Sequence, residues 1–336
     1  MSTRVTALAP TDRSHSVLGS GATEKALTTF LNGIPGVDTV GAEARAAGFA
    51  TRSIKTTSKM AGLDMIMSMV DLTTLEGADT RGKVHTLAQK ATLPDPFDPT
   101  APSVAAVCVY GDKVAEVRES LGSWHISHRA DGIAVAAVAT AFPSGRASLP
   151  VKILDTEYAV SEGADEIDMV IDRGAFLSGS WGLVYDQIVA VKEACRRGDG
   201  SYAHLKVILE TGELATLDNV RRASWLAILA GADFIKTSTG KVAPAATLPV
   251  TVTMLEVIRD WYAMTGEKIG MKPAGGIKAS KDALRYLVAV AETVGEDWLT
   301  PDLFRFGASS LLNDVVMQRQ KMRNGHYSGP DYVSVD

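Results

Sequence analysis

The sequence predicts one α/β domain folded as a closed (β/α)8 barrel, the TIM-barrel architecture, with an N-terminal extension. From residue 63 onward, short apolar segments alternate with longer segments of helical periodicity, and this alternation indicates a parallel sheet. The short segments are apolar at nearly every position, which is typical of strands buried on both faces. Eight such units over roughly 250 residues have the length of a closed barrel.

An open, doubly wound sheet is the competing architecture. Its main support would be a G-x-G-x-x-G turn after the first strand. The first predicted strand runs instead into DLTTLEGADT, which has no such turn. The barrel is therefore favoured.

The elements follow in order along the chain. The predicted strands are MIMSMVDL (65–72), VAAVCVY (104–110), IAVAAVATAF (133–142), EIDMVID (166–172), LKVILE (205–210), DFIKTST (233–239), IGMKPAG (269–275) and LFRFGA (303–308). Between them, segments 149–164 and 217–232 carry apolar residues at the three- and four-residue spacing of amphipathic helices. We therefore expect an extension at 1–61 packed on the barrel, the barrel itself at 62–320, and a C-terminal tail at 321–336.

Composition excludes several classes of protein. The 336 residues carry a formal net charge of -5, with a pI near 5.7, whereas nucleic-acid-binding domains are usually basic. No apolar run reaches the roughly 20 residues that span a bilayer. The two cysteines form no disulfide framework, and the N-terminus lacks a secretory segment, so we expect a cytoplasmic protein. His125 and His128 form the one close histidine pair, without a nearby cysteine or carboxylate, and we predict no metal.

Side-chain alternation places charges inside the barrel. Ile167 and Met169 share one face of the fourth strand, so Asp168 points inward. Lys236 of the sixth strand points inward by the same argument, and Lys206 and Lys272 occur on the strands to either side. One interpretation is a purely structural ion network that joins the lysines to Asp168 and Glu210.

The second interpretation is catalytic. A lysine attacks a carbonyl only as the neutral amine, yet its ordinary pKa is about 10.4. Burial and a neighbouring ammonium group both lower that pKa, so a lysine pair in a dry pocket provides a Schiff-base nucleophile. Asp168 would then transfer protons through an ordered water.

Three loops predict a phosphate site. KPAGGIK (272–278), FGASSLLND (306–314) and STGK (238–241) each place glycines, hydroxyls or a lysine just after a strand. Barrels of this kind often bind phosphate at the loops after strands seven and eight, where backbone N–H groups and a helix N-terminus meet the anion.

These segments together resemble the deoxyribose-phosphate aldolase family. The resemblance covers roughly residues 62 to 315, and the motifs that carry it are DLTTLEGADT (71–80), VCVY (107–110), EIDMVID (166–172), LKVILETGEL (205–214), ADFIKTSTGK (232–241), MKPAGGIK (271–278) and FRFGASSLL (304–312). It implies a class I aldolase, free of metal and cofactor, that cleaves 2-deoxy-D-ribose 5-phosphate to acetaldehyde and D-glyceraldehyde 3-phosphate.

The resemblance also implies residue roles. Lys236 would form the Schiff base, Lys272 would lower its pKa, and Asp168 would relay protons. Asp71 and Lys206 would support this polar network, and Cys108 would line the pocket. Phosphate binding would fall to Gly240, Lys241, Gly275, Gly276, Gly307, Ser309 and Ser310.

Other readings stay open at this point. A transaldolase-like Schiff-base barrel would share the lysine, and a non-catalytic sugar-phosphate-binding barrel would use its lysines only to neutralise the ligand. A metal-dependent aldolase is disfavoured because no histidine and carboxylate cluster falls on the strand ends. The sequence leaves the oligomeric state open, a homo-oligomer included.

Overall fold

Eight parallel strands form a single sheet in the computed structural model, which describes residues 10–19, 21–52, 56–123, 130 and 132–326. The strands are β1 Val70–Thr73, β2 Ala106–Tyr110, β3 Ala134–Ala139, β4 Glu166–Val170, β5 His204–Ile208, β6 Phe234–Lys236, β7 Gly270–Lys272 and β8 Phe306–Ala308. Their order in the sheet follows the chain, with β8 paired to β1.

The sheet closes on itself between β7 and β8. Bridges join Met271 to Phe304 and Ala274 to Gly307, supported by backbone hydrogen bonds such as Gly307 N to Pro273 O at 2.9 Å. The predicted (β/α)8 barrel is confirmed.

Helices alternate with the strands and cover the outside of the barrel. In the described part of the chain they are α1 Pro10–Leu18, α2 Glu24–Gly33, α3 Thr39–Phe49, α4 Thr56–Ser68, α5 Arg81–Thr92, α6 Val114–Ser123, α7 Leu149–Ser161, α8 Arg173–Leu177, α9 Trp181–Ala194, α10 Leu217–Leu229, α11 Leu248–Thr265, α12 Ser280–Thr293 and α13 Ser310–Asn324. The apolar core lies between strands and helices, and the two helices predicted at 149–164 and 217–232 are confirmed.

The first predicted strand is partly wrong. Residues 65–68 belong to the end of α4, and the first strand begins only at Val70. Leu63, Ile66 and Met67 are fully buried at helical spacing, so this apolar run packs as one face of a helix. A short continuous apolar run fits a buried helix as well as a buried strand. The other seven strands are also shorter than predicted. The third ends at Ala139, because Thr140 and Ala141 adopt positive φ angles of 64° and 60°.

The N-terminal helices pack on the outside of the barrel. Helix α2 contacts α9 and α10, and α3 contacts α11. Arg13 of α1 is 1% exposed and donates hydrogen bonds to the carbonyl oxygens of Ile228 and Ala232, at 3.0 and 2.9 Å, and to Glu267 Oε1 at 2.6 Å. A buried arginine with these partners anchors α1 to the segments that flank β6 and β7.

Two features of the sequence interpretation lie outside the described residues. They are the histidine pair His125 and His128, and the last ten residues, 327–336, of the expected tail. No described helix combines the length and the apolar character needed to cross a membrane.

Candidate active site

Three strand lysines meet one aspartate inside the barrel. Oδ2 of Asp168 lies 2.7 Å from Nζ of Lys236 and 2.8 Å from Nζ of Lys272, while Oδ1 lies 3.2 Å from Nζ of Lys206. The strand register explains the meeting, because Lys236 pairs with Lys272 across β6 and β7 and Asp168 pairs with Lys206 across β4 and β5. All four side chains are buried.

A second group of charges lies directly against this cluster. Asp71 Oδ2 is 2.6 Å from Lys272 Nζ, and Asp71 Oδ1 accepts a hydrogen bond from Arg305 Nη1 at 2.7 Å. Glu166 forms an ion pair with Lys206 and accepts from Arg305 Nη2 at 3.0 Å. The structure therefore places Asp71 and Lys206 with the central lysines, as members of one continuous ion network.

Sequence reasoning missed Arg305 and Glu166. Both carried a usable signal. Glu166 shares its strand face with Asp168 two residues away, and Arg305 is a charge between two fully buried phenylalanines, Phe304 and Phe306. A buried charge in such a strand needs a partner of opposite charge, and Arg305 and Glu166 form this ion pair with each other.

The pKa values of the two lysines that share Asp168 are shifted in opposite directions. Burial lowers the pKa of Lys236, and the charge of Lys272 lowers it further, against the opposing attraction of Asp168. Burial also acts on Lys272, but the pull of Asp168 and Asp71 outweighs it and raises the pKa of Lys272 well above its usual value. Lys236 is thus the lysine that loses its proton more easily.

A cleft of about 360 Å³ opens above the cluster, and Lys236 is the cluster lysine that lines it. The seven residues predicted to bind phosphate all lie on its wall: Gly240, Lys241, Gly275, Gly276, Gly307, Ser309 and Ser310. The structure therefore brings the predicted phosphate loops and the lysine cluster to one end of the barrel, at the carboxyl ends of the strands.

Two positions of the cleft require glycine because neighbouring atoms leave no room for a Cβ. A Cβ at Gly275, whose φ is +76°, would lie 2.8 Å from Ala245 Cβ. A Cβ at Gly307 would lie 2.7 Å from Ala274 Cβ and 3.0 Å from Lys272 Cε. Gly275 lets the loop after β7 pass close to the loop after β6, and Gly307 leaves room for the Lys272 side chain.

The cleft is more cationic than the sequence indicated. Besides Lys236 and Lys241, it is lined by Lys83, Lys90 and Lys278. Glu76 is the one carboxylate on the described wall, and its Oε1 lies 2.7 Å from Lys241 Nζ. Lys83 and Lys90 are seven residues apart in α5, a spacing that puts both on the same helix face and could have shown them. Such a surface favours an anionic ligand.

Glu210 and Cys108 lie near the lysine cluster but in positions other than those expected from the sequence. The ion-network hypothesis is wrong for Glu210, because this buried carboxylate accepts from Thr239 N at 3.2 Å and Thr239 Oγ1 at 2.5 Å, and pairs with Arg173 at 3.4 Å. Glu210 therefore holds the loop that carries Lys241. Cys108 is fully buried beside the lysines, and burial raises the pKa of its thiol. It lies behind the wall of the cleft and is absent from the described lining.

Within the described residues, histidine, cysteine and carboxylate side chains form no group of three or more that could hold a metal ion. The chemistry that these side chains can perform themselves is attack by an amine, proton transfer by a carboxylate and binding of an anion.

Comparisons with known proteins identify similar sequences. The sequence model of the DeoC/LacD family aldolases matches residues 65–316. The deoxyribose-phosphate aldolase of Mus musculus is 44% identical over 287 residues, which cover 83% of this chain and 87% of the mouse protein. The Homo sapiens protein of the same name is 43% identical over 287 residues, with the same coverage of each chain.

A solved structure shows the same fold. The deoxyribose phosphate aldolase from Aeropyrum pernix, described as a tetramer, has a TM-score of 0.58 at 21% identity, covering 81% of this chain and 96% of that chain. At this identity the likeness concerns the barrel itself.

Proposed function

This chain belongs to the DeoC/LacD family of aldolases, and from that premise we propose that it reversibly cleaves 2-deoxy-D-ribose 5-phosphate to acetaldehyde and D-glyceraldehyde 3-phosphate through a Schiff base on Lys236. The observation that carries the proposal is the position of Lys236: a lysine of lowered pKa at the floor of a cationic cleft. This combination favours the neutral form of the amine and provides a site for the sugar phosphate.

The first step is attack of the Lys236 amine on the C1 aldehyde. Loss of water from the carbinolamine leaves an iminium ion, whose positive nitrogen accepts electrons from the substrate. The proton that the carbinolamine oxygen needs in order to leave as water comes from the ammonium group of Lys272, whose Nζ lies 2.8 Å from Asp168 Oδ2.

Cleavage then follows from removal of the C3 hydroxyl proton. The C3–O electrons form the aldehyde of glyceraldehyde 3-phosphate, and the C2–C3 bond electrons move onto C2 and the iminium nitrogen as an enamine. Asp168 is the base in this account, and its carboxylate is kept ionised because Lys206, Lys236 and Lys272 outweigh burial and lower its pKa well below the usual range. Protonation at C2 and hydrolysis of the imine release acetaldehyde and restore Lys236.

The phosphate group is assigned to the glycine loops. Gly275 and Gly276, with φ of +76° and +81°, present backbone to the cleft without a side chain in the way. Ser309 and Ser310 stand at the N-terminus of α13, where the helix dipole favours an anion. Lys241 adds a cation, which forms an ion pair with the exposed Glu76.

The extension at 1–61 is assigned to packing. Its described helices α1, α2 and α3 lie against α9, α10 and α11, and none of the described residues that line the cleft precedes Thr73. The substrate site is therefore built by the barrel, with the extension stabilising its outer layer.

The direct test is coupled detection of glyceraldehyde 3-phosphate released from deoxyribose 5-phosphate, with a chelator present. We expect chelator-insensitive release by the wild type and none by Lys236→Met. A matched control is Lys59→Met, which removes a lysine from α4, away from the cleft. Binding of the sugar phosphate without release of acetaldehyde would support a non-catalytic barrel instead, and activity on ketose donors alone would support a transaldolase-like enzyme.

A further inference from the structure

The ion network under the cleft contains one more cationic group than carboxylates. Its cations are Lys206, Lys236, Lys272 and Arg305, and its carboxylates are Asp71, Glu166 and Asp168, joined by the ion pairs between them. With all groups ionised, four positive charges face three negative ones among buried side chains. An uncompensated buried charge is costly. Loss of one proton from one of the cations makes the network neutral and removes this cost.

Arg305 cannot be the group that gives up this proton. A guanidinium group stays charged in proteins, and the contacts with Asp71 and Glu166 raise the pKa of Arg305 further. Its side chain is buried, with the guanidinium 5.9 Å from the ring centre of Phe234, beneath the lysines and away from the cleft wall. Its positive charge is therefore fixed.

The number of carboxylate partners decides which lysine loses its proton. Lys206 lies within ion-pair distance of Asp71, Glu166 and Asp168. Lys272 lies within that distance of Asp71 and Asp168. Among the described residues Lys236 has Asp168 alone, and it shares that same oxygen with Lys272. Lys236 is the least compensated of the three.

We propose that Arg305 is a positioning residue for the Schiff-base lysine. Its permanent charge forms ion pairs with Asp71 and Glu166 on the side away from the cleft, and so leaves Lys236 as the neutral amine. Arg305 acts through its partners. It takes Oδ1 of Asp71, whose Oδ2 binds Lys272, and it takes Glu166, which also binds Lys206. This inference rests on the proposed function of Lys236.

Other charged groups face Lys236 but do not change this assignment. Cys108 lies behind it as a buried thiol whose raised pKa keeps it neutral. Across the cleft stand the charged residues Glu76, Lys83, Lys90, Lys241 and Lys278. These line a space open to solvent, where screening weakens their effect relative to the buried network.

The test is the pH dependence of kcat/KM in Arg305→Met, Arg305→Lys and the wild type. Arg305→Met leaves three cations and three carboxylates, so Lys236 keeps its proton. We expect the acid limb to move at least about one pH unit to the alkaline side, with roughly tenfold lower kcat/KM at neutral pH. Arg305→Lys keeps the charge and should retain the wild-type limb. Arg52→Met, at an exposed arginine paired with Glu292, is the matched control and should show no shift.

A charge-restoring variant keeps the test decisive if Arg305→Met folds poorly. In Arg305→Met/Glu166→Gln, three lysines face two carboxylates, so one cation is again in excess. The acid limb should therefore move back toward its position in the wild type. An acid limb that stays in place in Arg305→Met, or that does not return in the double variant, would overturn the proposal.

Trapping separates this inference from the proposed function. Substrate and borohydride should label Lys236 in the wild type at neutral pH, and in Arg305→Met only at more alkaline pH. Labelling of both proteins with the same pH dependence would refute the role of Arg305 alone. Absence of label on Lys236 in the wild type would refute the proposed function itself.

Discussion

Lys236 and Lys272 share a single carboxylate oxygen, with their Nζ atoms 2.7 and 2.8 Å from Oδ2 of Asp168. One oxygen cannot fully compensate two ammonium groups in a buried site, so the two lysines compete for it. Lys272 has Asp71 as a second partner at 2.6 Å, which keeps it protonated and leaves Lys236 as the amine of lower pKa. The division of labour between nucleophile and charged neighbour follows from this contact.

Replacing Lys272 should therefore change both the rate and its pH dependence. In Lys272→Met the ammonium that disfavours charged Lys236 is gone, and the pKa of Lys236 rises. Loss of the proton donor also removes general acid catalysis, so we expect kcat/KM at neutral pH to fall by about 100-fold or more. Steady-state rates across pH should show the acid limb displaced to the alkaline side. A slower variant with an unmoved limb would show that Lys272 does not tune Lys236.

The loop glycine Gly275 should act on phosphate binding. An alanine there has a strained positive φ and a Cβ 2.8 Å from that of Ala245, so the phosphate loop must shift. We expect Gly275→Ala to raise KM for deoxyribose 5-phosphate by about tenfold, or roughly 1.4 kcal/mol. Turnover of unphosphorylated deoxyribose should be unaffected.

Gly266→Ala is the control for that variant. Gly266 ends α11 with a φ of +72° and has no atom within 4 Å of an added Cβ. The substitution should cost about 1 kcal/mol of unfolding free energy through backbone strain, with KM unchanged. An equal rise in KM for both variants, or for both substrates, would contradict the assignment of Gly275.

Gly307 should matter through Lys272 rather than through the phosphate. A methyl group there comes within 3.0 Å of Lys272 Cε and 2.7 Å of Ala274 Cβ, which displaces the lysine from Asp168. We expect Gly307→Ala to lower kcat by about tenfold, since small misplacements of catalytic groups cost rate. Gly48→Ala, in α3 with open space around the added methyl, should leave kcat unchanged. A change in KM alone would assign Gly307 to phosphate binding instead.

The buried network should stabilise the fold in a pH-dependent way. Despite its burial, Asp71 has a lowered pKa because of Lys272, Lys206 and Arg305. Its contribution is therefore fully present above the unfolded-state pKa of about 3.9 and is lost as pH falls toward the folded-state value. We expect Asp71→Asn to lose about 3 kcal/mol near neutral pH, because it leaves buried cations uncompensated.

Denaturant unfolding of the wild type and Asp71→Asn at several pH values checks this. The difference in unfolding free energy should be constant between pH 5 and 7 and should shrink below about pH 4. A difference that grows as the pH falls would contradict the ion-pair assignment.

The sequence predicted the barrel and the centre of the site because both rest on local patterns. Alternation along single strands placed Asp168 and Lys236 inside, and the register of neighbouring strands was implicit in a closed parallel sheet. Segment 65–68 was assigned to a strand because a short apolar run has no periodicity to separate helix from strand.

The residues that could not be assigned depend on contacts between distant segments. Arg305 reaches Asp71 over 234 residues, and Glu210 turns from the lysines to Thr239 because its own φ of 54° places it in a left-handed turn. Lys83 and Lys90 contribute to the cleft because its wall combines α5 with the loops after β7 and β8. Sequence periodicity shows which face a residue occupies, but not what stands opposite it.

In the proposed mechanism Lys236 carries the covalent intermediate. Reduction of the protein with borohydride in the presence of deoxyribose 5-phosphate, followed by mass spectrometry of its peptides, shows which residue is modified. We expect one reduced adduct per chain, on the peptide that contains Lys236. An adduct on Lys206 or Lys272, or full turnover with no adduct at all, would contradict it.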